Sequence, residues 1–205
     1  MGRYLEASCK VCRRNKEKLF LKGARCHTAK CAIEKRNFPP GIRTNMPKKM
    51  SEYGKRLREK QKLRFLFGIS EVQMRNYFDS ALNQKGVTGS NLLKLLESRF
   101  DNALFRSKFA MSRKDARQLI RHGHFSVNGR KVNIPSYSLK QGDIISLKTE
   151  NNLYKERFKV VKEKGVPTWM AFDEQAQNIS VVHLPEREEI DVPVQEQLIV
   201  EFYSM

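Results

Sequence analysis

Four cysteines carry the most specific chemistry in this chain. Cys9, Cys12, Cys26 and Cys31 follow the spacing C-x2-C-x13-C-x4-C. Two close pairs separated by a loop can place four thiolates tetrahedrally around Zn²⁺, with Zn–S bonds of about 2.3 Å. The surrounding residues have too little apolar content for a core of their own, so metal ligation would supply much of the folding free energy. Two disulfides or four unrelated free thiols give the same count, but a reducing compartment opposes disulfides. One structural zinc ion is therefore expected, while an iron–sulfur cluster also accepts four thiolates. His27 adjoins Cys26 as a rival ligand, yet four cysteines already close a structural site. It is assigned to a solvent-facing or RNA-facing position.

A second set of residues is cationic. Arg113, Arg117 and Arg121 fall four residues apart and share one side of a helix, with Lys114 and Gln118 adjacent and His122 at the edge. Ser112 is placed to cap that helix, and Asp115 puts an acid in its first turn. Arginines on a helix edge match the spacing of backbone phosphates, and no acidic i+4 partner is present to make ordinary surface pairs. Lys55, Arg58 and Lys62, on a helix beginning after Ser51, are assigned the same role. His122-Gly123-His124 has no carboxylate constellation beside it that would make a metal or acid/base site. Tyr4, Phe20, Tyr53, Phe65 and Phe67 could stack on bases, although most fit better as packing anchors.

The composition agrees with a polyanionic partner. The 205 residues include 40 Lys plus Arg against 22 Asp plus Glu, a net charge of +18, which favours nucleic acid over anionic lipid. The charge is uneven: residues 1–68 carry a net +15, residues 69–165 a net +10, and residues 166–205 a net −7. One end is expected to face RNA and the acidic end to face protein, packing Leu198, Val200 and Phe202 on a helical domain. No uncharged apolar run of about 18 residues exists. The start of the chain has no signal-peptide core, and Glu6 stands where a myristoylation signal needs Ser or Thr. An intracellular protein without a membrane partner is expected.

The elements that must position these residues follow from periodicity. Residues 1–46 read as a basic arm ending in Asn37-Phe38-Pro39-Pro40-Gly41, with Pro47 just beyond. From Ser51 to about Lys85 the pattern is helical, with a capping box at Ser70 and Gln73 and a stop at Gly86. Ser90 is placed to cap one further helix through Leu92, Leu93, Leu96, Phe100, Ala103 and Leu104. After Gly123 the period changes to two: Phe125, Val127, Val132 and Ile134 flank Asn128-Gly129, a hairpin turn pair. Ile144–Leu147 and Ile179–Leu184 read as further strands. The fold class is α+β, comprising a zinc-stapled arm (1–46), a helical domain (47–98, completed by about 186–205) and an RNA-binding module of helices on a mostly antiparallel sheet (99–185).

The run from Arg99 to Leu147 resembles the RNA-binding module of bacterial small-subunit ribosomal protein number four. The resemblance lies in Arg99-Phe100-Asp101-Asn102, Ser112-Arg113 through Leu119, His122-Gly123-His124, Val127-Asn128-Gly129, Pro135 and Gly142-Asp143. Pseudouridine synthases and tyrosyl-tRNA synthetases carry relatives of the module, so alone it implies RNA binding and no more. The flanks, Ser51-Glu52-Tyr53-Gly54 with Leu57 through Lys62, the ending from Glu196 to Ser204 and the cysteine arm, extend the resemblance over essentially the whole chain.

That family implies a cytoplasmic protein of the small ribosomal subunit that binds a junction in the 5′ domain of its ribosomal RNA early in assembly. It would lie beside ribosomal protein number five, near the path by which mRNA enters, and contribute to translational accuracy. It implies too that the module is inserted, so that the tail returns to pack on residues 48–98. Some members repress their own operon by binding mRNA, which one sequence leaves open. Many members lack the cysteines, so zinc rests on their spacing. The rival class is an RNA-modifying or tRNA-charging enzyme. Lys49-Met50-Ser51 resembles part of a synthetase loop, but Glu52-Tyr53 follow where Lys-Ser should be. No glycine-rich nucleotide loop is present, there is no room for a second catalytic fold, and no small-molecule substrate is expected.

Overall fold

A computed structural model describes the chain except residues 1–3, 5, 42–48 and 149–151; of residues 152, 153 and 155 only the backbone is described. The arm-to-helix boundary expected at 46/47, including Pro47, lies outside the described residues. The chain divides into two compact units, residues 1–91 with 192–205 and residues 92–191.

The first unit begins with three short helical pieces: α1 (Ser8–Asn15), a 3-10 turn (Gly23–His27) and α2 (Ala32–Lys35). Two longer helices follow, α3 (Glu52–Phe67) and α4 (Glu71–Leu82). Ser51 and Ser70 cap them by accepting from the amides of Gly54 and Gln73, and Gln73 returns the bond to complete a capping box. What reads in sequence as one helical stretch is broken at Gly68, which ends α3 in the left-handed conformation at φ +61°. The second helix stops at Leu82, before Gly86, because Asn83 already terminates it.

The C-terminal helix α9 (Glu196–Tyr203) packs on α3. Its anchor is the fully buried Ile199, whereas Leu198, Val200 and Phe202 are only half-buried. Those three alternate as a strand would, but the segment is a helix, and residues four apart share its face. Tyr203 therefore joins Ile199, stacking on Phe78 at 4.6 Å. Arg56 donates to Glu201 at 2.7 Å, and the Gln195 amide to Glu59 at 3.2 Å. The acidic tail thus has cationic and amide partners within its own unit.

The boundary between the units falls within α5 (Thr88–Glu97), which contains Ser90 instead of starting at it. The expected single helix through Leu104 is two, because α6 (Phe100–Arg106) starts after a break. At the break Arg99 is extended (ψ 140°) and bridges Ser138. The Phe100 and Asp101 amides donate to Tyr137 and Pro135 carbonyls at 2.9 and 3.0 Å. Local periodicity runs through the break unaltered because its cause lies some 40 residues away.

The second unit continues with α7 (Arg113–Arg121), strands β1 (Phe125–Val127), β2 (Arg130–Lys131) and β3 (Ile144–Leu147), helix α8 (Asn152–Lys164), and strands β4 (Met170–Asp173) and β5 (Asn178–Val181). The sheet is antiparallel throughout, in the order β2-β1-β3-β5-β4. Val127, Ile145, Ile179 and Phe172 stand opposite one another across four strands and face the core. In the next row Ile144 is exposed. Phe109 sits at the centre of the core, edge-on to Phe125 and Phe158 at 5.2 and 4.9 Å.

Two strand expectations change. β2 ends at Lys131, and Ile134 is exposed in the turn where the Tyr137 amide returns to its carbonyl. β5 ends at Val181, short of Leu184. Helix α8 and strand β4 have no counterpart among the elements expected from periodicity. Among the described residues no helix is long and apolar enough to cross a membrane.

Candidate nucleic-acid interface and cysteine pocket

Helix α7 is fixed at both ends. Ser112 is extended and its Oγ accepts from the Asp115 amide at 3.2 Å. The Asp115 carboxylate accepts from the Met111 amide at 3.0 Å and from Arg157 of α8 at 2.9 Å. At the other end Gly123 has φ +74°, and a Cβ there would lie 2.3 Å from Lys131 Cε. The left-handed backbone is what calls for glycine here, since the end of the exposed Lys131 side chain could move aside. The hairpin is held in turn by Asn128 and Gly129, at φ +50° and +76°, as a two-residue turn requires. Asn128 accepts from the Ile144 amide at 2.9 Å and donates to Asp143 at 2.8 Å.

The three arginines of α7 do not form one solvent-facing row. Arg113 donates to Asn102 at 2.8 Å and lies over Phe105 at 4.4 Å, where burial lowers its guanidinium pKa to about 10. Arg117 donates to Asp101 at 2.5 Å. Asp101 is 1% exposed and also accepts two bonds from Arg99, at 3.1 and 3.0 Å. Arg117 thus has an acidic partner and Arg113 an amide partner, both supplied by α6 across the packing and not four residues along α7. The exposed edge of the helix consists of Lys114, Gln118, Arg121 and His122, at positions i, i+4, i+7 and i+8. Arg130 and Lys131 are exposed on the adjoining hairpin and were not among the expected site residues. Their position beside the Asn128-Gly129 turn was the available signal.

His122 and His124 stack at 6.0 Å, and partial burial holds the His124 imidazole below its usual range, with His122 adding to the shift. On α3, Lys55 and Arg58 are exposed, Lys55 pairing with Glu52 at 2.7 Å. Lys62 is 7% exposed and pairs with Glu17 at 2.5 Å, which removes it from the surface. Of the five aromatics considered for base stacking, Phe67 is buried and Tyr4 and Phe65 pack edge-on at 4.9 Å. Phe20 and Tyr53 remain exposed.

The cysteines converge. Cys9 and Cys12 come from α1, Cys26 from the 3-10 turn and Cys31 from the residue capping α2, and all four line one pocket of about 20 Å³. None is in a disulfide. Burial raises the Cys12 thiol pKa, and the three neighbouring sulfurs add to the shift. Among the described residues no group of three or more His, Cys, Asp or Glu side chains is placed to hold a metal ion. The arm gathers the donors without closing them into a coordination shell.

Residues 3–97 match the Ribosomal protein S4/S9 N-terminal domain and residues 98–145 match the S4 domain. The small ribosomal subunit protein uS4 of Thermodesulfovibrio yellowstonii is 51% identical over 207 residues, covering 100% of both chains. The chain belongs to the uS4 family. Proteins of the same name from Acetivibrio thermocellus and Geotalea uraniireducens are 51% and 52% identical, again over 100% of both chains. The uS4 family consists of structural proteins and not enzymes, so the RNA-modifying and tRNA-charging alternatives are set aside.

Proposed function

We propose that the chain is a structural protein of the small ribosomal subunit in the cytoplasm, binding small-subunit ribosomal RNA directly. The observation that carries this reading is the 51% identity, end to end, with proteins named for that subunit. The excess of 40 cations over 22 acids supports it, since each phosphate neutralised releases counterions. The RNA-facing residues are Lys114, Gln118, Arg121 and His122 on α7, Arg130 and Lys131 on the hairpin, and Lys55 and Arg58 on α3. Arg113 and Arg117 serve the α7 face indirectly by locking α7 onto α6. Such contacts orient the protein on RNA and carry little sequence information.

One zinc ion held by Cys9, Cys12, Cys26 and Cys31 is part of the proposal. The four thiols gathered at one pocket support this reading, since four thiolates complete a structural zinc site without any other ligand. When bound, the ion would staple α1 to the 3-10 turn and α2. The finer placement follows the family resemblance: the 5′ domain of the RNA, early assembly of the subunit body, ribosomal protein number five as neighbour, and mRNA near its path of entrance with an effect on accuracy. Repression of its own operon by binding mRNA would draw on the same basic residues. Sedimentation of cell lysate tests the core reading. The protein should travel with the small subunit, and recovery only at the top of the gradient would refute it.

A further inference from the structure

Phe20 stands where an aromatic residue gains little from folding. Its backbone lies at φ +49°, a left-handed conformation that side chains avoid, and its ring is 40% exposed. The neighbouring Leu19, at 1% exposed, is the more deeply packed of the two, although both line the cysteine pocket. Strain of this kind persists only where the surroundings enforce it, and it concentrates at functional sites. The 3-10 turn Gly23–His27 brings His27 back against the ring, with centroids 4.9 Å apart and planes 26° from parallel. His27 is itself exposed, as are Lys22, Arg25 and Lys30 on the same short stretch.

We propose that the stacked Phe20–His27 pair is a platform for an unpaired RNA base, with Lys22, Arg25 and Lys30 meeting the flanking phosphates. The proposal rests on the RNA-binding reading above and adds the class of nucleotide recognised. Every base has a π-face, so stacking tolerates any sequence, but a base inside a duplex has no free face to offer. The platform therefore selects unpaired nucleotides. Because the turn that carries His27 also carries Cys26, the order of the platform is tied to that of the cysteine pocket.

The test uses the full-length protein with single-stranded oligoadenylate carrying 2-aminopurine, and with a duplex of equal phosphate count. The wild type should quench the probe. Phe20→Ala should lose the quenching and weaken single-strand binding at least about fivefold, with the salt slope unchanged, while Phe20→Trp retains both. Lys22→Ala should instead flatten the single-strand slope by about 0.7. Equal binding and quenching by the wild type and Phe20→Ala overturns the platform and leaves RNA binding intact, as does wild-type binding to duplex alone. Loss of metal from Phe20→Ala alongside the loss of affinity also overturns it, since the ring would then be a lid on the cysteine pocket. If the wild type binds neither probe nor ribosomal RNA, the RNA reading falls and the platform with it.

Discussion

Replacing Asp101 with Ala should destabilise the second unit far more than removing an ordinary surface charge. The carboxylate is 1% exposed and accepts from Arg99 twice and from Arg117 once, at 3.1, 3.0 and 2.5 Å. The Arg99 and Arg117 side chains are themselves only 3% and 14% exposed. Neither cation can recover full hydration once its acceptor is gone, and breaking a buried pair in this way costs about 3–5 kcal/mol. Solvent screening, which reduces exposed pairs to about 0–1 kcal/mol, has little access here. The single tryptophan, Trp169, is 2% exposed in the same unit and reports its unfolding by fluorescence. With a urea dependence of about 2 kcal/mol per molar, the midpoint should fall by about 1.5–2.5 M. Arg121→Ala, on the exposed edge of α7, is the control and should stay within about 0.5 kcal/mol. A shift below about 1 kcal/mol for Asp101→Ala, with an unchanged slope, would show that the network is not what holds α7 to α6.

Purified protein should contain one zinc per chain by elemental analysis, and Cys9→Ser should lose it and expose the arm to proteolysis while the Trp169 transition stays unchanged. Because burial raises the Cys12 thiol pKa, the proton competes with the metal at neutral pH; zinc affinity should fall as pH is lowered and rise as it is raised towards that pKa, measured by competition with a chelating dye. Arg121→Ala should flatten the log–log salt dependence of ribosomal RNA binding by about 0.7–0.9. Ile199→Ala should cost about 2–5 kcal/mol in chemical denaturation, and Leu198→Ala clearly less, because only the former is fully buried.

The parts of this fold legible in the sequence are those decided within a few residues. The Ser70–Gln73 box, the Ser112 cap and the Asn128-Gly129 turn each depend on side chains bonding to nearby backbone, and each stands where local chemistry put it. The misread parts depend on distant partners. Nothing around Ser98 and Arg99 announces the break between α5 and α6, because its cause is pairing with residues 135–139. Spacing put Arg113 and Arg117 on one side of α7 but could not say that Asp101 and Asn102 would meet them there. Lys62 is withdrawn from the surface for the same reason, its partner Glu17 being 45 positions away. The cysteines meet at one pocket because they are crowded into a short arm, where few residues separate them.

The first unit draws on both ends of the chain, with α9 laid on α3, and this sets an order on folding during synthesis. Residues 92–191 are contiguous and can close as soon as they emerge. The α3 seam that receives Ile199 and Tyr203 must wait until the last helix is made. At about 5–20 residues per second, that interval lasts roughly 5–25 s after Asn91 is joined. For that time the nascent N-terminal half presents an unclosed apolar seam beside its densest positive charge, available to a chaperone or to RNA before the chain is released.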